Sequence, residues 1–249
     1  MAVHAGKVGD GPPVVTPAGS EPMKCRKATS FCFLCVLFLI MSCSTVPITG
    51  RTQLSLVPPS SMLSMSLQQY DQFLKENSVS TDTASTALVK GVGGRIQKAV
   101  ERYFIEHGMR NELQNYAWEF NLIESEEVNA WCMPGGKVAV YTGILPVTEN
   151  ENGLAVVMGH EIAHAVAGHG GERMSHLLAV QMGGLALAVA MAEKPESSRN
   201  LWFTAFGLGA QVGFILPYSR VQEYEADRLG LIFMAMAGYD PNEAPRFWS

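Results

Sequence analysis

Apolar positions along this chain change period as it proceeds. In "MLSMSLQQYDQFLKEN" Met62, Met65, Tyr70 and Phe73 recur at three- to five-residue steps, and Leu88, Val92, Ile96, Val100 and Phe104 continue the rhythm further on. That spacing predicts helices between Ser61 and about His107. In "YAWEFNLIES" the period drops to two, which predicts a strand with Trp118, Phe120 and Leu122 on one face. "VNAWCMPGGKVAVYTGIL" predicts a hairpin turning at Pro134-Gly135-Gly136. Thr148 and Glu151 form a capping box for a helix that runs through "VVMGHEIAHAVAGH" and ends near Gly168 to Gly171. Ser219 and Gln222 form a second box, opening a helix that ends at Gly238 with Pro241 beyond. The pattern is α+β and mostly helical, with a small antiparallel hairpin beside a helix that carries histidines.

Two further segments, 177–192 and 201–217, are almost wholly apolar and are separated by polar "EKPESSRN". Each is shorter than the roughly 20 residues a spanning helix needs. Their glycines (Gly183, Gly184, Gly207, Gly209, Gly213) and Gln211 suit helices packed over or beside a site. The rival is a transmembrane hairpin.

Composition changes the picture mainly at the N-terminus. Residues 1–22 are rich in Gly, Pro and Val without periodicity and read as a disordered or mis-started leader. From Met23 a basic start, an apolar run from Phe31 to Met41 and Ser42-Cys43 give the layout of a signal peptide over 23–42. "Ile40-Met41-Ser42-Cys43" resembles a bacterial lipobox, which makes Cys43 the lipidation site; a plain signal peptide or a short uncleaved anchor is the alternative. Residues 43–60, rich in Pro and Ser, read as a lipidated linker, and 61–249 as the working domain. Only Cys132 of the 5 cysteines lies in that domain, so it holds neither an internal disulfide framework nor a cysteine-rich metal site. The net charge of −5 argues against nucleic acid as the partner.

The chemistry sits in the helix of "HEIAH". His160 and His164 lie one turn apart on one face, where two imidazoles can share a metal ion. Glu161 is turned about 100° away and can reach a metal-activated water without being a ligand. The alternative is a pair of core histidines satisfied by backbone carbonyls. A catalytic zinc needs a third protein ligand and an open position. The pattern with Gly at 167 and His at 170 fails, because those residues are Ala167 and Gly170. His169 falls on the opposite side of an ideal helix. "SRVQEYEADRLG" supplies the ligand as Glu223, with Asp227 one turn on to accept a hydrogen bond from a ligand imidazole. A solvated acidic face is the alternative there, against which stands the apolar continuation "LGLIFMAMAG".

"HEIAH" followed by "SRVQEYEAD", with the "NAWCMPGG" block and "GYDP", resembles metallopeptidase family forty-eight, the CAAX-prenyl-protease and HtpX type. "CSTVPITGRTQL" resembles its bacterial periplasmic lipoprotein branch, of the BepA and LoiP kind. The resemblance implies a zincin-like (gluzincin) domain with one zinc ion per subunit, held by His160, His164 and Glu223. It also implies Glu161 as catalytic base and a catalytic role for Asp227, the proton donor in some members. The resemblance implies at least one more helix past "RFW", so a C-terminal truncation of this sequence is an expectation.

The expected reaction is hydrolysis of peptide bonds in unfolded or misassembled envelope proteins, in the periplasm, by an enzyme lipid-anchored to the outer membrane and serving the envelope assembly machinery. The hairpin around Ala130, Trp131, Cys132, Val138 and Val140 is expected to hold an extended substrate by main-chain hydrogen bonds. His169 and Arg220 are the candidates for a second electrophile. The competing readings are a protease-silent, chaperone-like zinc protein and an integral-membrane protease of the same family.

Overall fold

The computed structural model describes residues 43–248; the leader and signal-peptide expectations for 1–42 lie outside the described residues. Two short antiparallel strands come first, β1 (Cys43–Thr45) and β2 (Thr52–Leu54), followed by helices α1 (Pro59–Glu76) and α2 (Thr83–Glu106). A sheet of β3 (Glu119–Ile123), β4 (Ala130–Met133) and β5 (Lys137–Tyr141) precedes α3 (Glu151–Val166) and α4 (His169–Ala190). Next come α5 (Glu196–Ala210), a π turn over Gln211–Ile215, α6 (Leu216–Met236) and a short α7 (Glu243–Phe247).

The helix carrying the histidines is the centre of the molecule. α3 buries Leu154, Ala155, Met158, Ile162 and Ala163 completely and packs against α6, α2 and β4. Each such Leu, Ile or Met contributes about 1.5–3 kcal/mol by leaving water. α2 delivers its expected stripe, with Val92, Ile96, Val100 and Phe104 buried and Asp82 capping its first amides through Ala84 and Ser85. In α1 the inner face is rotated from expectation. Met65 is exposed, and Ser66 is buried because its hydroxyl donates to the Pro134 carbonyl at 2.7 Å.

Several local expectations give way to specific contacts. The sheet order is β3-β5-β4, with β4 antiparallel to β5 but β3 parallel to it, so the sheet is mixed. A parallel pair needs a crossover, which the chain from β3 through β4 supplies. Asn150, not Thr148, caps α3, accepting from the amides of Asn152 and Gly153, while the Thr148 hydroxyl bonds back to Leu145. Ser219 opens no helix either, because helix runs unbroken from Glu196 to Met236. Within the expected 43–60 linker, Cys43–Thr45 and Thr52–Leu54 pair as strands and Val46 is fully buried in the core.

α4 and α5 also depart from expectation. Past His176, α4 leans on α5, with Phe206 against Gly183 and Gly184, and the two cover little else. Met182, Leu185, Val189, Leu201, Leu208 and Val212 are each more than 60% exposed. By length and composition both α4 and the 196–236 helix could cross a membrane, with only 11% and 0% of their most apolar windows buried.

One close approach sets the geometry of everything that follows. Gly159 and Gly230 meet where α3 crosses α6, and a Cβ on Gly230 would lie 2.9 Å from the His160 nitrogen. The nearest atoms are backbone and cannot swing aside. Gly230→Ala is expected to cost about 1–3 kcal/mol in denaturant unfolding and to weaken metal retention, because it pushes Glu223 and Asp227 away from the histidines.

Candidate metal centre

That crossing brings together three side chains, two from α3 and one from α6. His160 Nε2 and His164 Nε2 stand 3.0 Å apart, and Glu223 Oε2 lies 3.3 Å from the first and 3.5 Å from the second. Donor atoms bonded to one zinc ion at about 2.0–2.2 Å are separated by distances of this order, so the trio fits a single ion. Each imidazole has its other nitrogen occupied. His160 Nδ1 is 2.9 Å from Asp227 Oδ1, and His164 Nδ1 is 2.8 Å from His169 Nδ1. Such partners fix the tautomer and aim the free nitrogen at the ion. Burial, with help from the neighbouring imidazoles of His160 and His169, holds His164 down at about 3, so it presents a neutral ring.

Glu161 sits on the same helix with its carboxyl in the cleft. Burial, reinforced by Glu223, pushes it up to about 7, against the pull of Arg173. A carboxylate so placed can both accept and return a proton near neutral pH. Cys132 lines the same cleft as a free thiol, pushed well above its usual range by burial and by Glu161, which keeps it protonated and poorly nucleophilic.

The structure divides the substrate-binding expectations. β4 is the open edge of the sheet, beside α3. Tyr141 donates to the Asn129 carbonyl, so by ladder alternation the main-chain groups of Ala130 and Cys132 face away from β5, toward the open side. Val138 and Val140 lie in the middle strand, wholly buried, and cannot pair with a substrate. The Trp131 ring is turned to α1, edge-on to Phe73 and Tyr70.

The electrophile candidates fare differently from expectation. Gly168 adopts φ +76, a conformation only glycine takes cheaply, and ends α3 there. The chain therefore doubles back, and His169 contacts His164 instead of lying on the far side of a continuous helix. It is 1% exposed and bonded at both nitrogens, the second to Glu225 Oε2 at 2.9 Å, so it is not free to reach a substrate. Arg220 is exposed and does not line the cleft. The cation that does is Arg173 of α4, 3.9 Å from Glu223 Oε1, which no local pattern singled out.

A helix with His-Glu-x-x-His and a glutamate from a later helix, meeting beside an open strand edge, define a zincin-like metallopeptidase domain. Residues 92–249 match the model of peptidase family M48, and the chain belongs to that family. It is 35% identical over 153 residues to the mitochondrial metalloendopeptidase OMA1 of Schizosaccharomyces pombe, covering 61% of this chain and 42% of that one. To human OMA1 it is 31% identical over 226 residues, 88% of this chain and 42% of the relative. To a putative beta-barrel assembly-enhancing protease of Vibrio cholerae it is 34% identical over 137 residues, 52% of this chain and 27% of the relative. The chain thus spans less than half the length of these relatives.

Proposed function

We propose that this chain is a zinc endopeptidase that hydrolyses unfolded or misassembled envelope proteins. The observation that carries the reaction is the convergence of His160, His164 and Glu223 with Glu161 beside them in one cleft. A zinc ion bound there supplies a Lewis acid that acidifies a water and polarises a peptide carbonyl. Glu161 takes the proton from the attacking water and hands it to the leaving amine. The open β4 edge holds the substrate extended through main-chain groups of Ala130 and Cys132. That mode reads backbone and little side chain, which suits unfolded polypeptide. Asp227 holds the His160 ring in place for this work.

Envelope quality control is supported by the name of the Vibrio relative, a putative beta-barrel assembly-enhancing protease, and by the lipobox-like residues before Cys43. On this reading the chain is a periplasmic lipoprotein of the outer membrane. The test is cleavage of an unfolded outer-membrane barrel protein by zinc-loaded chain, with chelated chain and Glu161→Gln as controls. Equal turnover by all three would reject the protease and leave the chaperone-like reading.

A second reading concerns the exposed apolar faces of 177–192 and 201–217, which are unlike the surface of a domain held only by a lipid. On this reading they lie in the bilayer. The Cys43→Ser chain is then expected to stay in the membrane pellet after a high-salt wash without detergent. Its release into the supernatant would leave the lipid as the whole anchor.

A further inference from the structure

The segment "ITGRTQL", Ile48 to Leu54, lies far before the histidine helix in sequence, yet Arg51 within it stands two side chains from a metal-site imidazole. We propose that Thr49 and Arg51 are positioning residues of the metal centre, acting on His164 through Glu225 and His169. The proposal rests on the zinc reading of that centre.

The contacts form one continuous chain. Arg51 Nε donates to Glu225 Oε2 at 2.8 Å, and the Thr49 hydroxyl donates to Glu225 Oε1. Glu225 Oε2 stands 2.9 Å from His169 Nε2, and His169 Nδ1 stands 2.8 Å from His164 Nδ1. The other end of the guanidinium grips Glu172 by two parallel bonds, Nη1 to Oε1 at 2.7 Å and Nη2 to Oε2 at 2.8 Å. Gln222 Nε2 completes Glu172 at 2.7 Å. His169, Glu172, Gln222 and Glu225 are all buried.

Hydrogen-bond bookkeeping gives this chain a direction. A carboxylate only accepts, so Glu225 requires the His169 proton on Nε2. In a neutral ring His169 Nδ1 is then an acceptor, and it requires the His164 proton on Nδ1. That leaves the His164 Nε2 lone pair facing His160 and Glu223, the state a metal ligand needs. Arg51 is what makes the arrangement tenable. Two buried carboxylates without a cation would be strongly unfavourable, and one rigid guanidinium fork serves both. Lysine, a single point charge, cannot span them. The strand pair β1–β2 is thereby a built part of the metal centre, which gives the buried Val46 and the ordered course of residues 43–54 a purpose.

The test is a double-mutant cycle read as zinc affinity, by competition with a chromophoric chelator. Arg51→Met and His169→Phe are each expected to lower zinc affinity by about 10–100-fold, the usual effect of removing a partner of a ligand. Because both act through one chain, the double variant should lose no more than the worse single variant. Arg51→Lys should recover little. Should Arg51→Met fail to fold, Thr49→Val removes the contact to Glu225 and a long one from the Arg51 amide, keeps the guanidinium, and is expected to lower zinc affinity in the same direction. Arg51→Met or Thr49→Val binding zinc as wild type does, or losses that multiply in the double variant, would overturn the proposal. Failure of the zinc reading itself looks different: wild type would bind no zinc at all.

Discussion

Glu161→Gln is expected to bind zinc as wild type does and to lose about 10²–10⁴-fold in kcat/KM against unfolded protein. Glutamine keeps the size and an acceptor oxygen but takes no proton at neutral pH. Glu161 is not the residue that orients either ligand imidazole. Asp227 serves His160 and His169 serves His164, so the substitution leaves the ligand trio intact. The two measurements belong together, metal content by elemental analysis and turnover on the same sample. Loss of both would make Glu161 a structural residue. Loss of neither would remove it from the chemistry.

The second large effect is on the metal. Glu223→Ala leaves two imidazoles and no carboxylate among the described ligand candidates in that cluster. The expected loss of zinc affinity exceeds the roughly 10–100-fold that a supporting residue costs. Asp227→Asn is the internal comparison, since its oxygen can still accept from His160 Nδ1 and its loss should stay within that range. Glu225→Ala is a different case despite its place two residues on. Glu225 faces His169 and Arg51, while Glu223 faces the ligand nitrogens. Equal zinc affinity for Glu223→Ala and Asp227→Asn would mean that the third ligand has been misassigned.

Much of this centre was legible in the sequence because helix periodicity is local. His160 and His164 share a face by arithmetic, as do Glu223 and Asp227, and the Pro134-Gly135-Gly136 turn announces the hairpin. What stayed hidden depends on contacts across long sequence distances. Arg51 meets Glu172 and Glu225 over separations of 121 and 174 residues, and a Pro- and Ser-rich stretch gives no local sign of it. One backbone torsion, the left-handed Gly168, turns His169 from a far-side histidine into a partner of His164. Arg173 was missed for the same reason, because α4 takes its direction from that break. The apolar pair 177–192 and 201–217 suits packed cover by composition, but apolarity alone does not say whether protein or something else covers a helix. The Gly159–Gly230 crossing is visible only once both helices are placed.

The central claim is a single zinc ion held by two imidazoles and one carboxylate. X-ray absorption at the zinc edge, on chain loaded with one equivalent, reads those donors directly. The account predicts a shell of nitrogen and oxygen only, at about 2.0–2.2 Å, with the scattering signature of two imidazoles. A sulfur donor at about 2.3 Å, which Cys132 would supply, or a third imidazole from His169, would contradict it.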